Sequence, residues 1–158
     1  MSSDAITRLA ESVADLLLER DEVLAVAESC TAGAVAASLA GGGSAERWLR
    51  AGLVAYQEPV KRSLLGVRSQ SLVVPRAAEE MARGAARLFD TPVALATTGV
   101  FGEEPVDGVE PTTVLIASLV SDDVRVVSHR LDDDPGVATD QAVELALTQL
   151  IDDLHRRR

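Results

Sequence analysis

Apolar residues recur along the chain with two periods, and the alternation between them marks out the elements. Ile6, Leu9, Val13, Leu16 and Leu17 fall on one face of a helix predicted over 4–19, with Asp4 placed to cap it. Residues 23–27 form a short apolar run, read as a buried strand, which ends in the polar knot Glu28-Ser29-Cys30-Thr31. A helix of small residues is predicted to follow, from about residue 31 to 40. Gly41-Gly42-Gly43-Ser44 breaks the chain, and 45–50 reads as a short helical turn holding the only tryptophan, Trp48, as a packing residue. A second short strand is predicted over 53–56.

Pro59 suits the first turn of a helix that runs to about 65 and stops at Gly66. Pro75 opens another, with Ala78, Met81, Ala82, Ala85, Leu88 and Phe89 on one face. Residues 93–96 read as a buried strand ending in Thr97-Thr98-Gly99. The stretch 99–111 holds three glycines, two prolines and four acids, a long, exposed and mobile loop by composition. Residues 112–120 and 124–131 are predicted strands joined by a hairpin turn at 121–123. Asp132-Asp133-Asp134-Pro135 fits a solvated linker better than a metal site. The last helix, about 137–155, carries Val143, Leu147, Leu150, Ile151 and Leu154 and ends in cations that suit a helix C-terminus. Strands alternate with helices and a hairpin follows, so the pattern predicts a mixed-sheet α/β layer fold in a single domain over 1–158.

Composition narrows the functions. With 158 residues, 47% of them hydrophobic, the chain can bury a proper core. No apolar run reaches the roughly 20 residues of a membrane span, and no basic, apolar leader pattern opens the chain. The single cysteine makes neither an internal disulfide nor, alone, a zinc site. The plain expectation is a cytoplasmic protein. A net charge of −10 argues against duplex nucleic acid or an anionic membrane as partner. Small domains of this kind are commonly homo-oligomers, but no interface stripe is legible.

The cations hold a sharper signal. Fourteen of the fifteen Lys and Arg residues are Arg, and the one lysine is Lys61. Arginine stays charged in proteins, whereas a desolvated lysine becomes a neutral base. The only tyrosine, Tyr56, lies five residues before it. Ser29 stands at a strand-to-helix turn, where amide groups and the helix dipole favour an anion or oxyanion. Two plain readings compete with a nucleophilic Ser29. Either Ser29 or Thr31 is simply the helix cap, or Cys30 is the nucleophile, its thiol activated by the helix N-terminus. In a Ser–Lys arrangement Lys61 takes the serine proton, Tyr56 relays or orients, and the amides of Cys30 and Thr31 hold the oxyanion. His129 and His155, the only histidines, fall on an expected edge strand and in the terminal turn; neither has a spacing that would ligate a metal, and with so few no Ser-His-Asp triad is convincing. Neither a dinucleotide fingerprint nor a Walker A loop is present.

The string Val26-Ala27-Glu28-Ser29-Cys30-Thr31-Ala32-Gly33 is followed by Gly43-Ser44, then Gly52-Leu53-Val54-Ala55-Tyr56, Lys61 and Leu64-Leu65-Gly66-Val67. Met81-Ala82-Arg83-Gly84-Ala85 and Ala94-Leu95-Ala96-Thr97-Thr98-Gly99 continue it. In this order the motifs resemble the C-terminal domain family of CinA, the competence/damage-inducible protein, over essentially the whole chain. The resemblance implies a three-layer sandwich, a mixed sheet flanked by helices. It implies an amidohydrolase converting nicotinamide mononucleotide to nicotinic acid mononucleotide and ammonia in pyridine nucleotide salvage, with no metal or organic cofactor. It carries the catalytic roles onto Ser29, Lys61 and Tyr56, and substrate contacts onto Glu28, Cys30, Thr31, Gly33, Ser44, Thr98 and Gly99. The partner it implies is a small-molecule nucleotide.

Three departures stand against the family pattern. Thr-Gly-Gly becomes Thr31-Ala32-Gly33. The glycine-rich loop becomes Gly99-Val100-Phe101-Gly102-Glu103, adding bulk and, with Glu104, negative charge. The arginines expected before the last helix are replaced by Asp and Ala around 132–140. These changes leave a second expectation standing beside the enzyme: a catalytically silent relative that binds a nucleotide or a partner protein.

Overall fold

The computed structural model describes residues 3–157. Its elements run α1 (Ser3–Arg20), β1 (Leu24–Glu28), α2 (Ala34–Ala40), α3 (Ala45–Trp48), β2 (Leu49–Val54), α4 (Glu58–Leu65), α5 (Pro75–Phe89), β3 (Val93–Val100), β4 (Thr113–Val120), β5 (Asp123–Arg130) and α6 (Pro135–Arg156). The five strands form one sheet in the order β2-β1-β3-β4-β5. β1 is parallel to β2 and β3, and β4 and β5 extend the sheet antiparallel, so the sheet is mixed. The β4–β5 turn has two residues, Ser121 and Asp122, both at positive φ (50° and 72°), the conformation that matches the twist of a tight hairpin.

Strand alternation sends large and small side chains to opposite faces. Leu24 and Val26 of β1, Leu95 of β3 and Ile116 of β4 pack with α1, α2 and α6 in one core. Ala25, Ala27, Ala94, Ala96 and Ala117 face the other way, onto α5 and α4. That second face is built of alanines, as is the facing stripe of α5 (Ala77, Ala78, Ala82, Ala85), which lets the helix lie close to the sheet. The close approach continues onto α4. A Cβ at Gly84 would stand 2.0 Å from the Leu65 carbonyl oxygen, so glycine is required where α5 meets the end of α4. Gly66 caps α4 in the left-handed region (φ 68°), and Arg87 donates to the Leu65 carbonyl. α4, the carrier of Lys61, is thus held at its C-terminal end from α5.

The element boundaries differ from the pattern in four instructive places. α2 begins at Ala34, not Thr31, because Ala32 (φ 49°) and Gly33 (φ 98°) both turn left-handed first. β2 spans Leu49–Val54, earlier than 53–56. It is an edge strand with Leu49, Ala51 and Leu53 half-buried and Arg50, Gly52 and Val54 exposed, so its apolar signal is diluted by two. β3 continues through Thr97-Thr98-Gly99 to Val100 instead of turning, since β4 pairs with it over its whole length. A Cβ at Gly99 would meet the Thr113 carbonyl oxygen at 2.1 Å, so this glycine serves strand packing and not a turn. α6 starts two residues earlier than the pattern, with the Asp134 carboxylate accepting from the amides of Gly136 and Val137. No helix among the described residues is long and apolar enough to cross a membrane.

Candidate active site

The C-terminal ends of the parallel strands are where an open α/β sheet leaves a crevice. β1 ends there at Glu28. The Glu28 carbonyl accepts from Ala55 N (2.8 Å) on one side, and Ser29 N donates to the Thr97 carbonyl (3.0 Å) on the other. The turn 29–33 is therefore pinned between two neighbouring strands.

Glu28 is fully buried, and its carboxylate is spent inside the fold. Oε1 accepts from Thr31 Oγ1 (2.6 Å) and from Val35 N (2.8 Å), and Oε2 accepts from Ala36 N (3.0 Å). Thr31 Oγ1 also lies 2.7 Å from Thr97 Oγ1. A carboxylate only accepts, so the single Thr31 proton goes to Glu28 and Thr97 must donate to Thr31. This corrects the expectation of free amides at the α2 N-terminus, because Glu28 occupies them. It also removes the capping role from Ser29 and Thr31. Glu28 and the left-handed Gly33 do that work.

Ser29, released from capping, is 8% exposed, lines a cavity of about 620 Å³, and has no hydrogen-bond partner for its hydroxyl among the described residues. Lys61 lines the same cavity from the early turns of α4 at 3% exposure, and its Nζ donates to the Tyr56 carbonyl (2.8 Å). Burial pulls the Lys61 pKa below the ordinary lysine value, opposed by the neighbouring Cys30 and Glu58. Burial also pushes the Cys30 thiol up to about 12, although the amides of Cys30 and Thr31 favour its thiolate. A thiol that burial holds in its protonated form is disfavoured as the nucleophile beside Ser29. Tyr56 is 63% exposed and touches Lys61 through its main-chain carbonyl; its phenol has no hydrogen bond among the described residues.

The expected site residues separate into three groups. Ser29, Cys30, Tyr56, Lys61, Thr98 and Gly99 all line the cavity. Thr98 Oγ1 is already committed, donating to the Leu72 carbonyl (2.8 Å). Glu28, Thr31 and Gly33 are not in the lining; they build the turn behind it. Ser44 is not brought near. It precedes α3 and the start of β2, which pairs with the start of β1 (Leu24 with Leu49), at the opposite edge of the sheet from Ser29. Sequence reasoning missed Leu72 and Val73, which enter from the segment between α4 and α5. That segment is anchored by Glu80, whose Oε2 accepts from the amides of Arg68 and Ser69 and from Ser69 Oγ. Burial raises the Glu80 pKa, and those bonds outweigh it, leaving the carboxyl below its usual range. Only a polar anchor twelve residues downstream signals this in the sequence.

The remaining lining comes from Val100 at the end of β3 and from residues 101–104 and Val106 beyond it. Among the described residues no cluster of three or more His, Cys, Asp and Glu could hold a metal. A second, smaller cavity of about 370 Å³ lies between β4, β5 and the end of α6. Its polar groups are matched to one another: Asp153 takes Arg125, Arg156 and Ser118 Oγ.

The site so defined is a crevice at the sheet's C-terminal edge in which a serine hydroxyl and a desolvated amine share one cavity. The family model for the CinA C-terminal domain matches residues 6–154, and the chain belongs to that family. A CinA-like protein of a Picosynechococcus strain is 34% identical over 122 residues, 74% of this chain and 29% of its own length. One from Shewanella woodyi is 36% identical over 121 residues, 73% of this chain and 28% of its own length. The chain therefore spans under a third of the length of these curated relatives. Among solved structures, a CinA superfamily protein from Klebsiella pneumoniae superposes with a TM-score of 0.90 at 29% identity, covering 96% of this chain and 98% of that one. Another from Escherichia coli gives 0.89 at 30% identity, with 96% and 92% covered. The three-layer α/β sandwich is the fold of that superfamily.

Proposed function

We propose that this chain is a Ser–Lys amidohydrolase acting on the carboxamide of nicotinamide mononucleotide or a close relative of it, releasing ammonia. The observation that carries the reading is a serine hydroxyl without a partner and a lysine whose pKa is lowered by burial, in one cavity. In this reading neutral Lys61 Nζ takes the Ser29 Oγ proton as Oγ attacks the carboxamide carbon. The same proton passes to the departing nitrogen, the C–N bond breaks, and ammonia leaves an acyl-serine. Water then attacks that ester, Lys61 again carrying the proton, and a carboxylate is released. The amides of Cys30 and Thr31 are the proposed oxyanion donors. Tyr56, held to Lys61 by its carbonyl, positions the amine. We place the protein in the cytoplasm with a small molecule as its partner; the net charge of −10 supports this over nucleic acid.

The test is ammonia release from nicotinamide mononucleotide and nicotinamide riboside. Ser29→Ala and Lys61→Ala are each expected to lower kcat/KM by about 10³-fold or more on whichever substrate the wild type turns over. Ammonia release that survives Ser29→Ala at the wild-type rate overturns the mechanism. A second reading, a silent binding relative, is favoured by one feature, the bulk and charge that Phe101, Glu103 and Glu104 bring into the lining. Lys61-dependent turnover of either carboxamide rules it out.

A further inference from the structure

The cavity's charge does not suit a phosphorylated ligand. Fourteen arginines are spread over the chain, yet none of the described ones lines the cavity, where Lys61 is the single cation. Glu103 and Glu104 do line it, and neither has an ion-pair or hydrogen-bond partner among the described residues. The amides of Val35 and Ala36 in the first turn of α2 are filled by the Glu28 carboxylate and offer no seat for a phosphate. Beside the two carboxylates stands Phe101, half-buried and in the lining, whose ring face attracts a cation.

Resting on the amidohydrolase reading, we propose that the substrate is a carboxamide that carries no phosphate and bears a positive charge, with Glu103, Glu104 and Phe101 setting that preference. A quaternised pyridine-3-carboxamide fits: its ring cation is drawn to the two carboxylates and the aromatic face while its amide carbon meets Ser29. A phosphate on the same molecule adds up to two negative charges at the mouth where the carboxylates already stand. Both effects are electrostatic and weaken with added salt.

The experiment compares nicotinamide riboside, a cation without phosphate, with nicotinamide mononucleotide, its phosphate ester, on the full chain. Wild type is expected to favour the riboside in kcat/KM by about tenfold or more, and the double variant Glu103→Gln/Glu104→Gln to shrink that ratio by about tenfold. Binding of both probes to Ser29→Ala, followed by calorimetry, reads the same preference without turnover, and tighter riboside binding sustains the proposal. A preference for the mononucleotide that the double variant leaves in place overturns it while the hydrolase stands. So does equal binding of the two, or binding of neither. Loss of the hydrolase reading is separate: it shows as ammonia release that does not depend on Ser29, or as no release from either probe.

Discussion

Two segments frame the cavity, and they are built in opposite ways. The turn 29–33 has its polar groups paired behind it: Glu28, Thr31 and Thr97 form a closed, buried network that also starts α2. The loop beyond β3 brings Glu103 and Glu104 with no partner at all among the described residues, on exposed backbone. A saturated buried network fixes geometry, because each member left unpaired costs desolvation. An unpaired exposed carboxylate fixes nothing but shapes the field a ligand meets. Under the proposed mechanism the turn holds Ser29 in place and the loop selects what reaches it.

The sharpest way to break the comparison is to delete a carboxylate from each segment. Glu28→Ala strands Val35 N and Ala36 N and leaves the Thr31 hydroxyl with Thr97 alone, and is expected to cost about 2–4 kcal/mol in denaturant unfolding. Glu103→Ala or Glu104→Ala should change stability by less than about 0.5 kcal/mol. Equal costs would mean that the turn is no more rigidly determined than the loop.

A smaller effect concerns Lys61, whose burial disfavours its charged form. Its folded pKa lies below the unfolded value of 10.5, so between those two values the unfolded chain binds more protons and stability rises with pH. Below the folded pKa the burial penalty is paid in full. Lys61→Met is thus expected to be more stable than wild type near neutrality, with the gap closing as pH climbs toward 10.5. Thermal melts across that range would show it. A gap that is absent, or that widens with pH, would mean that Lys61 is not disfavoured in its charged form.

The smallest effect is local. Ala32 holds φ 49°, a left-handed conformation that glycine adopts freely. Ala32→Gly should stabilise the protein by about 0.5–1 kcal/mol from relief of strain. No gain in unfolding midpoint would mean that the turn tolerates the side chain without cost.

Much of this was open to reading from the chain, for physical reasons that differ by residue. The helices and β1 follow from their apolar periods. Lys61 stands out because every other cation is arginine, and the strand-to-helix knot singles out Ser29. What escaped depends on partners distant in sequence. Thr97 and Thr98 look like the polar end of a strand until β4 pairs with them and Thr31 and Leu72 take their hydroxyls. Glu28 resembles a site residue because it sits beside Ser29, but seven and eight residues on, Val35 and Ala36 claim it. Ser44 travels with the motif in sequence and not in space. Leu72 and Val73 are delivered by Glu80, an anchor no local pattern reveals.

The central claim is that a buried, neutral lysine activates Ser29. It is tested most directly by kcat/KM for ammonia release from nicotinamide riboside between about pH 6 and pH 10, in wild type and Lys61→Arg. The account predicts a wild-type rate that climbs with pH to a plateau through a pKa below 10.5. It predicts Lys61→Arg to be inactive at every pH, because a guanidinium keeps the charge and gives up no proton. A Lys61→Arg enzyme that retains the wild-type rate and profile would contradict it.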